Sequence, residues 1–410
     1  MKKVLPGQLI LILVFLTMIV APATLLFHEP GKILVDENRK AIDIPKLVRD
    51  DGTLVTRSRL ETYAKDNIGF REFAPRVDSM IMWNIFGVVL DTAQLLGKDG
   101  NLFPGANRYN PQLRAPHLPF SEEILTENGM NLEAGAKYFK SIDVPFLFIT
   151  IPDKEQVYPN LYPDYFVQRP YKNNLGLQVE WLLENTVVDA YDMTSAMRKK
   201  AEQSDEMIWY EAGDAAHWNY MGAWYGYLEI MERLKNYDSE LKTLSIDDFD
   251  ITISETGYSN ISKTFYYKGL GNTYFEFDYK PGFSSEYIDY MDDPWMPRDL
   301  LYSVDFMEGG KYFHYYNSEG EGTLVFFGDS YINNFLMPYF GETFEHVYLF
   351  HMPTNFEIMR PILDMMGADY IVIEMVERMY LPQKFHGMIE QFEADVPVLP
   401  RPEIYFDENK

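Results

Sequence analysis

Five short apolar runs constrain this chain more than any other feature: VPFLFITIP (144–152), TVVDAYDM (186–193), TLVFF (323–327), HVYLF (346–350) and DYIVIEMVER (369–378). They are rich in β-branched and aromatic residues, and the first shows little polar alternation, as befits a strand covered on both faces. Helical spacing fills segments between them: 121–141 leads into the first run, 175–185 into the second, and TSAMRKKAEQ follows it. Strand and helix taking turns in this way predict an α/β fold, a parallel sheet with helices packed on its faces. The 410 residues are 47% hydrophobic and 16% aromatic, enough to bury such a core.

The chain opens differently. Val4 to Phe27 contains no charged residue over 24 positions, with Lys2 and Lys3 before it, enough to cross a hydrocarbon layer of roughly 30 Å as a helix. Residues 1–28 are therefore expected to be a single-pass transmembrane anchor with its N-terminus in the cytoplasm and the remainder outside. A cleaved secretory signal ending at Ala21-Pro22-Ala23 is the alternative, and either reading exports the protein. Residues 29–56 read as a polar juxtamembrane linker, and 57–86 as two helices interrupted near Gly69 and Pro75. LLGKDGNLFPG (95–105) reads as a hairpin turning at Asp99-Gly100. The α/β pattern runs over 57–244 and resumes over 323–410. Between them, 245–322 carries short tyrosine-rich alternating stretches, DITISET, SKTFYYKG, NTYFEFDYK and KYFHYYN, expected to form an antiparallel insertion.

A net charge of −26 disfavours nucleic acid or an anionic membrane surface as a partner, and weakly disfavours a strongly anionic glycan. Most of that charge reads as a solvated acidic surface. With no cysteine there is no disulfide, thiolate metal site or cysteine nucleophile. No His-x-x-x-His occurs, the acidic stretches MDDPW and IDDFD read as turns, and there is no glycine-rich phosphate loop. Neither a metal nor a cofactor is expected.

The chemistry concentrates at FFGDSY. Ser330 follows an apolar strand and precedes a helical segment, and in open α/β sheets ligands bind at the carboxyl ends of strands. Gly328 permits a sharp turn there. The serine amide at a helix start can face a developing oxyanion, although a capping serine beginning a helix fits the same triplet. A serine nucleophile needs a base, and of seven histidines His217 stands out in GDAAHW, with Asp214 three residues earlier. On a helical turn this spacing puts both side chains on one face, letting the carboxylate hold the imidazole.

Weaker candidates surround these three. Tyr331, Asn333 and Asn334 are candidate donors beside Ser330, against capping or packing. Trp218 is a candidate to stack on a substrate, against a place in the core. Asp153 and Lys154 fall on a loop at the same rim, where they would pair with each other, fix the loop or contact substrate. Glu374 and Glu377 end a late strand and read as a hydrogen-bonded or solvated acidic turn, while His346 and His351 are alternative bases.

In order and rough spacing, GKDGNLF, IPDKEQVYPNLYP, GDAAHWNYMGAW, FFGDSY and DYIVIEMVER resemble the alginate O-acetyltransferase (AlgX/AlgJ-like) branch of the SGNH hydrolases and its DHHW relatives, over about residues 57–380. The resemblance implies a permuted SGNH fold with an Asp-His pair ahead of the serine. It implies transfer of an acetyl group through an acyl-serine to hydroxyls of an extracellular polysaccharide, with Ser330 as nucleophile, His217 as general base and acid, and Asp214 as its orienter. It also implies a multi-spanning membrane-bound O-acyltransferase as the donor's source, since acetyl-coenzyme A is not available outside the cell. Two departures stand out: Asp-x-His in the family is Asp-Ala-Ala-His here, and the arginine often found after the serine helix is absent from YLFHMPTNFEIM. A carbohydrate esterase using the same triad and a non-catalytic glycan-binding scaffold remain as alternative readings.

Overall fold

Strands whose side chains alternate between two covered faces build a seven-stranded sheet. In the computed structural model the described residues are 10–17, 20, 33–34, 39–46, 48, 54–67, 73–89, 94–105, 119–164, 173–256, 269–289, 293, 311–333, 335–351, 359–380 and 385–393. They fall into two compact units, 1–90 with 263–267, and 91–262 with 268–410.

In the smaller unit the expected helices are Arg57–Asn67 and Phe73–Phe86. Pro75 sits in the first turn of the second, where its missing N–H costs no helical bond. Gly69 lies outside the described residues. Asp66 is buried and accepts from the Ile42 amide at 3.0 Å. Residues 10–17 and 20 of the apolar run are helical. Among the described residues no helix is long and apolar enough to cross a membrane, and the rest of 4–27 lies outside them.

The larger unit holds the sheet. Its strands are β1 (Gln94–Leu96), β2 (Leu102–Pro104), β3 (Phe146–Ile151), β4 (Asp189–Asp192), β5 (Phe249–Thr256), β6 (Asn272–Tyr279), β7 (Glu286–Ile288), β8 (Lys311–Tyr316), β9 (Thr323–Gly328), β10 (His346–His351) and β11 (Tyr370–Val376). The main sheet runs β4-β3-β11-β9-β10-β8-β7. Every pair from β4 to β10 is parallel, and β8 and β7 are added antiparallel. The expected hairpin forms from β1 and β2, with Asp99 and Gly100 at φ of 53° and 76° across its turn. Of the strands expected as an insertion, β5 and β6 pair with each other, whereas β7 and β8 extend the main sheet.

Period-two alternation sorts the core. Leu147, Ile149, Leu324, Phe326, Val347, Leu349 and Val372 face one side, against Met197 of helix α3 (Thr194–Gln203) and Trp224, Tyr227 and Ile230 of α4 (Tyr220–Leu234). Phe146, Phe148, Val325, Phe327, Tyr348, Ile371 and Ile373 face the other, against Leu132 and Phe139 of α1 (Glu122–Ser141) and Val179 and Leu182 of α2 (Asn174–Asn185). Each such side chain stabilises the fold by roughly 1.5–3 kcal/mol on burial. Parallel register aligns the strand ends: Val376 lies opposite Ile151, Phe327 opposite Ile373, and Gly328 opposite His351. Residues 153, 330 and 378 therefore emerge at one edge of the sheet.

Candidate active site

Ser330 begins a one-turn helix, α5 (Ser330–Asn333), two residues past the end of β9. The turn is held from below. Asp329 donates its amide to Glu374 Oε2 at 2.8 Å, and its carboxylate accepts from the amides of Tyr331 (2.9 Å) and Val376 (3.2 Å). A Cβ on Gly328 would lie 2.8 Å from Glu374 Oε2, so glycine lets strand and carboxyl approach this closely. Burial, then the neighbouring Asp329 carboxylate, push Glu374 well above the usual carboxyl range. The Ser330 amide has no acceptor among the described residues.

His217 arrives from 113 residues earlier in the chain. An isolated antiparallel bridge joins Trp209 and Trp218, the His217 carbonyl accepts from the Tyr210 amide at 3.3 Å, and Asn219 caps α4 by accepting from the amides of Met221 and Gly222. Residues 210–217 thus form a loop pinned at both ends. Asp214 and His217 meet in this loop rather than on the expected helical turn. Asp214 Oδ1 accepts from the amides of Ala216 (2.9 Å) and His217 (3.1 Å), and Oδ2 lies 2.7 Å from His217 Nδ1. A side chain that caps its own loop replaces the helix the spacing suggested.

The other imidazole nitrogen, Nε2, lies 2.6 Å from Ser330 Oγ. With Nδ1–H donated to Asp214, Nε2 is left to accept the serine proton. Burial opposes ionisation of Asp214, but the facing imidazole and the two amides outweigh it and hold the carboxyl well below its usual range. The side chain still keeps 43% of its surface exposed, so solvent screens part of that effect.

Three weaker candidates are corrected by burial. Tyr331 and Trp218 are both 0% exposed, so neither reaches an acyl group or a sugar. The Tyr331 hydroxyl donates to the Ala216 carbonyl, and its ring lies 5.0 Å from that of His217. Lys154 is 0% exposed, and its Nζ donates to the carbonyls of Leu102 (2.9 Å), Tyr210 (2.7 Å) and Glu211 (2.9 Å). Asp153 pairs with Arg378 and not with Lys154. Asn333 is half-buried in the last turn of α5, and Asn334 lies outside the described residues.

Glu377 caps the start of α2, accepting from the amides of Asn174 (3.2 Å) and Leu175 (3.0 Å). His346 sits at the far end of β10, 3.0 Å from His314, and His351 stands at the near end while the serine is bonded to His217. Two contributors were not singled out in the sequence. Asn272 of β6 accepts from the amides of Ala212 and Gly213, each at 2.7 Å, and a Cβ on Gly213 would lie 1.7 Å from its Nδ2. Arg378, at the same rim as Ser330, was foreshadowed only by its place after a strand. An exposed ring near the site is Tyr220, 37% exposed and 5.3 Å from Phe335, which in turn lies 6.1 Å from His217.

This geometry sits on an arrangement seen before. Bacillus cereus PatB1 superposes with a TM-score of 0.51 at 14% identity, covering 72% of this chain and 98% of that one. The chain shares the fold of PatB1. A second structure of PatB1, carrying a sulfonyl adduct, matches at 0.50 with 14% identity over 72% and 99% of the two chains. A DHHW family protein from Eubacterium siraeum matches at 0.47 with 16% identity over 74% and 96%. The O-acetyltransferase domain of Pseudomonas putida AlgJ matches at 0.46 with 13% identity over 73% and 99%. No protein-family model and no curated protein sequence matches the chain. At 14% identity the likeness to PatB1 is one of fold.

Proposed function

We propose that this protein is a serine-dependent O-acetyltransferase that works outside the cytoplasm on a polysaccharide or cell-wall glycan. The observation that carries this reading is the continuous line from Asp214 through both nitrogens of His217 to Ser330, at 2.7 and 2.6 Å. In the proposed reaction Ser330 Oγ attacks the acyl carbonyl carbon of a donor ester while His217 Nε2 takes its proton. The collapsing tetrahedral anion faces the Ser330 amide, and His217 returns the proton to the leaving oxygen. A glycan hydroxyl then attacks the acyl-serine, His217 again taking and returning a proton, so that acetyl sugar and free serine result. Asp214 orients the imidazole and stabilises its cationic form.

The acetyl identity, the glycan acceptor and a multi-spanning membrane-bound O-acyltransferase as donor partner rest on the sequence resemblance. The placement outside the cell and the anchor rest on the uncharged stretch at 4–27. In this reading the exposed Tyr220, rather than the buried Trp218, would stack on a sugar face.

The test is incubation of the protein with an activated acetyl ester, with and without candidate oligosaccharides. Acetylated sugar supports the transferase, and free acetate alone makes the protein an esterase. Ser330→Ala and His217→Ala are each expected to lower acyl turnover by a factor on the order of 10⁴ or more. Unchanged glycan acetylation in cells carrying either variant would leave only a scaffold role.

A further inference from the structure

The triad joins two segments from distant parts of the chain, and its 2.6 Å contact demands that the 210–217 loop be fixed relative to α5. Backbone groups along that loop are taken by side chains from elsewhere. Lys154 Nζ holds the carbonyls of Tyr210 and Glu211, Asn272 Oδ1 holds the amides of Ala212 and Gly213, and the Tyr331 hydroxyl holds the carbonyl of Ala216. The last contact reaches from the residue next to the nucleophile to the residue next to the base.

Tyr331 is itself fixed. Arg378 Nη1 and Trp209 Nε1 each lie 3.4 Å from its hydroxyl, the guanidinium stands 5.1 Å from its ring centre, and the Trp218 ring packs edge-on at 5.0 Å. Arg378 is anchored by Asp153, through its side chain and through its amide at 3.1 Å. Asp153 and Lys154 are consecutive and follow β3, so one strand end supports both sides of the loop.

We infer that Tyr331 and Lys154 are positioning residues that clamp the Asp214–His217 loop onto the serine helix and so set the His217–Ser330 distance. This rests on the reading of Ser330 and His217 as nucleophile and base. Neither clamp residue touches substrate. Their work is done before the reaction begins, by removing alternative loop positions in which Nε2 lies too far from Oγ. A misplacement of about 1 Å at such a contact costs roughly 100-fold in rate.

The two jaws respond differently to pH. Burial pulls the Lys154 ammonium down to about 7, against the upward pull of the Glu211, Asp214 and Glu155 carboxylates. β2 presents to it only the Leu102 carbonyl and the Phe103 ring, 4.7 Å away. An ammonium has three N–H donors for its three carbonyls, whereas a neutral amine has two. The Lys154 jaw therefore loosens as pH rises through about 7. The Tyr331 phenol, raised by burial far above neutrality, does not titrate in that range.

Tyr331→Phe is the decisive variant, because it keeps the ring against His217 and Trp218 and removes only the hydroxyl. With an activated acetyl ester its kcat is expected to fall about 10- to 100-fold with KM unchanged. The downfield proton resonance of His217 Nδ1–H should broaden or shift, while the folded fraction at the assay temperature stays that of the wild type. In the wild-type protein the same resonance should broaden as pH rises through about 7, following Lys154. In Lys154→Arg, which keeps a cation throughout, it should not. A Tyr331→Phe protein with wild-type kcat and resonance would overturn the inference, as would a kcat loss fully matched by a loss of folded protein. Ser330→Ala run alongside separates the two levels: if it keeps full ester turnover, the reading of the site itself is wrong. If it is inactive while Tyr331→Phe is normal, only the clamp fails.

Discussion

Asp214 is the member of the triad whose contribution can be removed with least disturbance, because its two oxygens do separate jobs. Oδ1 holds the amides of Ala216 and His217, and Oδ2 holds the imidazole. Asp214→Asn keeps an oxygen for the amides but then turns its NH2, a donor, toward Nδ1, and so disfavours the tautomer that leaves Nε2 free. Ester turnover is expected to drop by about 10³- to 10⁴-fold with little change in melting temperature, read from kcat and a thermal melt of the same sample. Ser330, His217 and Asp214 were legible in the sequence because their signals are local: a strand-turn-helix texture, and a carboxylate three residues from a histidine. The core place of Trp218 was among the readings the sequence allowed, but the partners of Tyr331 and Lys154 were not legible. Their burial is created by partners far along the chain, Ala216 for Tyr331 at a separation of 115 and Tyr210 for Lys154 at 56. A tyrosine beside a nucleophile looks like a donor until that packing is known.

Among the elements, the meeting of β9, β11 and α5 carries the most consequence, since the serine turn rests on two buried carboxyl groups, Asp329 and Glu374, and an ionised pair so close would repel. An ordinary glutamate releases its proton near pH 4.5, whereas Glu374 holds it to well above that in the fold. Across the window between, the native state binds the extra proton, so the contribution of Glu374 to stability is full below the unfolded value and is lost as pH rises. Glu374→Gln replaces the protonated acid by an amide that does not titrate. Its melting temperature is expected to gain on the wild type as pH rises above the ordinary glutamate range, and a difference that stays constant with pH would mean that the Glu374 carboxyl is not raised in the fold. Four of the five parallel strands were readable because burial on both faces leaves nearly continuous apolar runs, whereas β4 (DAYD) is only partly buried and was marked by the Val187-Val188 pair before it. The pairing of β8 was not readable, since KYFHYYN alternates like a free-standing antiparallel strand. Only the tertiary structure shows that Lys311 to Tyr316 lie in register along β10, from His351 to His346.

For the whole molecule, the uncharged run from Val4 to Phe27 and the net charge of −26 act in opposite directions on where the protein resides. An acidic domain is repelled from an anionic lipid surface, so under the proposed function it is the apolar segment that would hold the domain beside a membrane-borne acetyl donor. A spanning helix of this length holds against repulsion, because each buried CH₂ contributes about 0.8 kcal/mol and no charge enters the hydrocarbon. Cleavage after Ala23 would instead free the domain, since nothing else in the charge balance favours a membrane. The full-length protein is therefore expected to stay in the membrane fraction through a high-salt wash and to be released only by detergent, with an N-terminal peptide that still contains residues 4–27. Mass spectrometry of that peptide decides between the readings: a mature chain beginning at Thr24, recovered in the soluble fraction, would replace the anchor with a cleaved signal and require the donor protein to capture the enzyme through its folded surface.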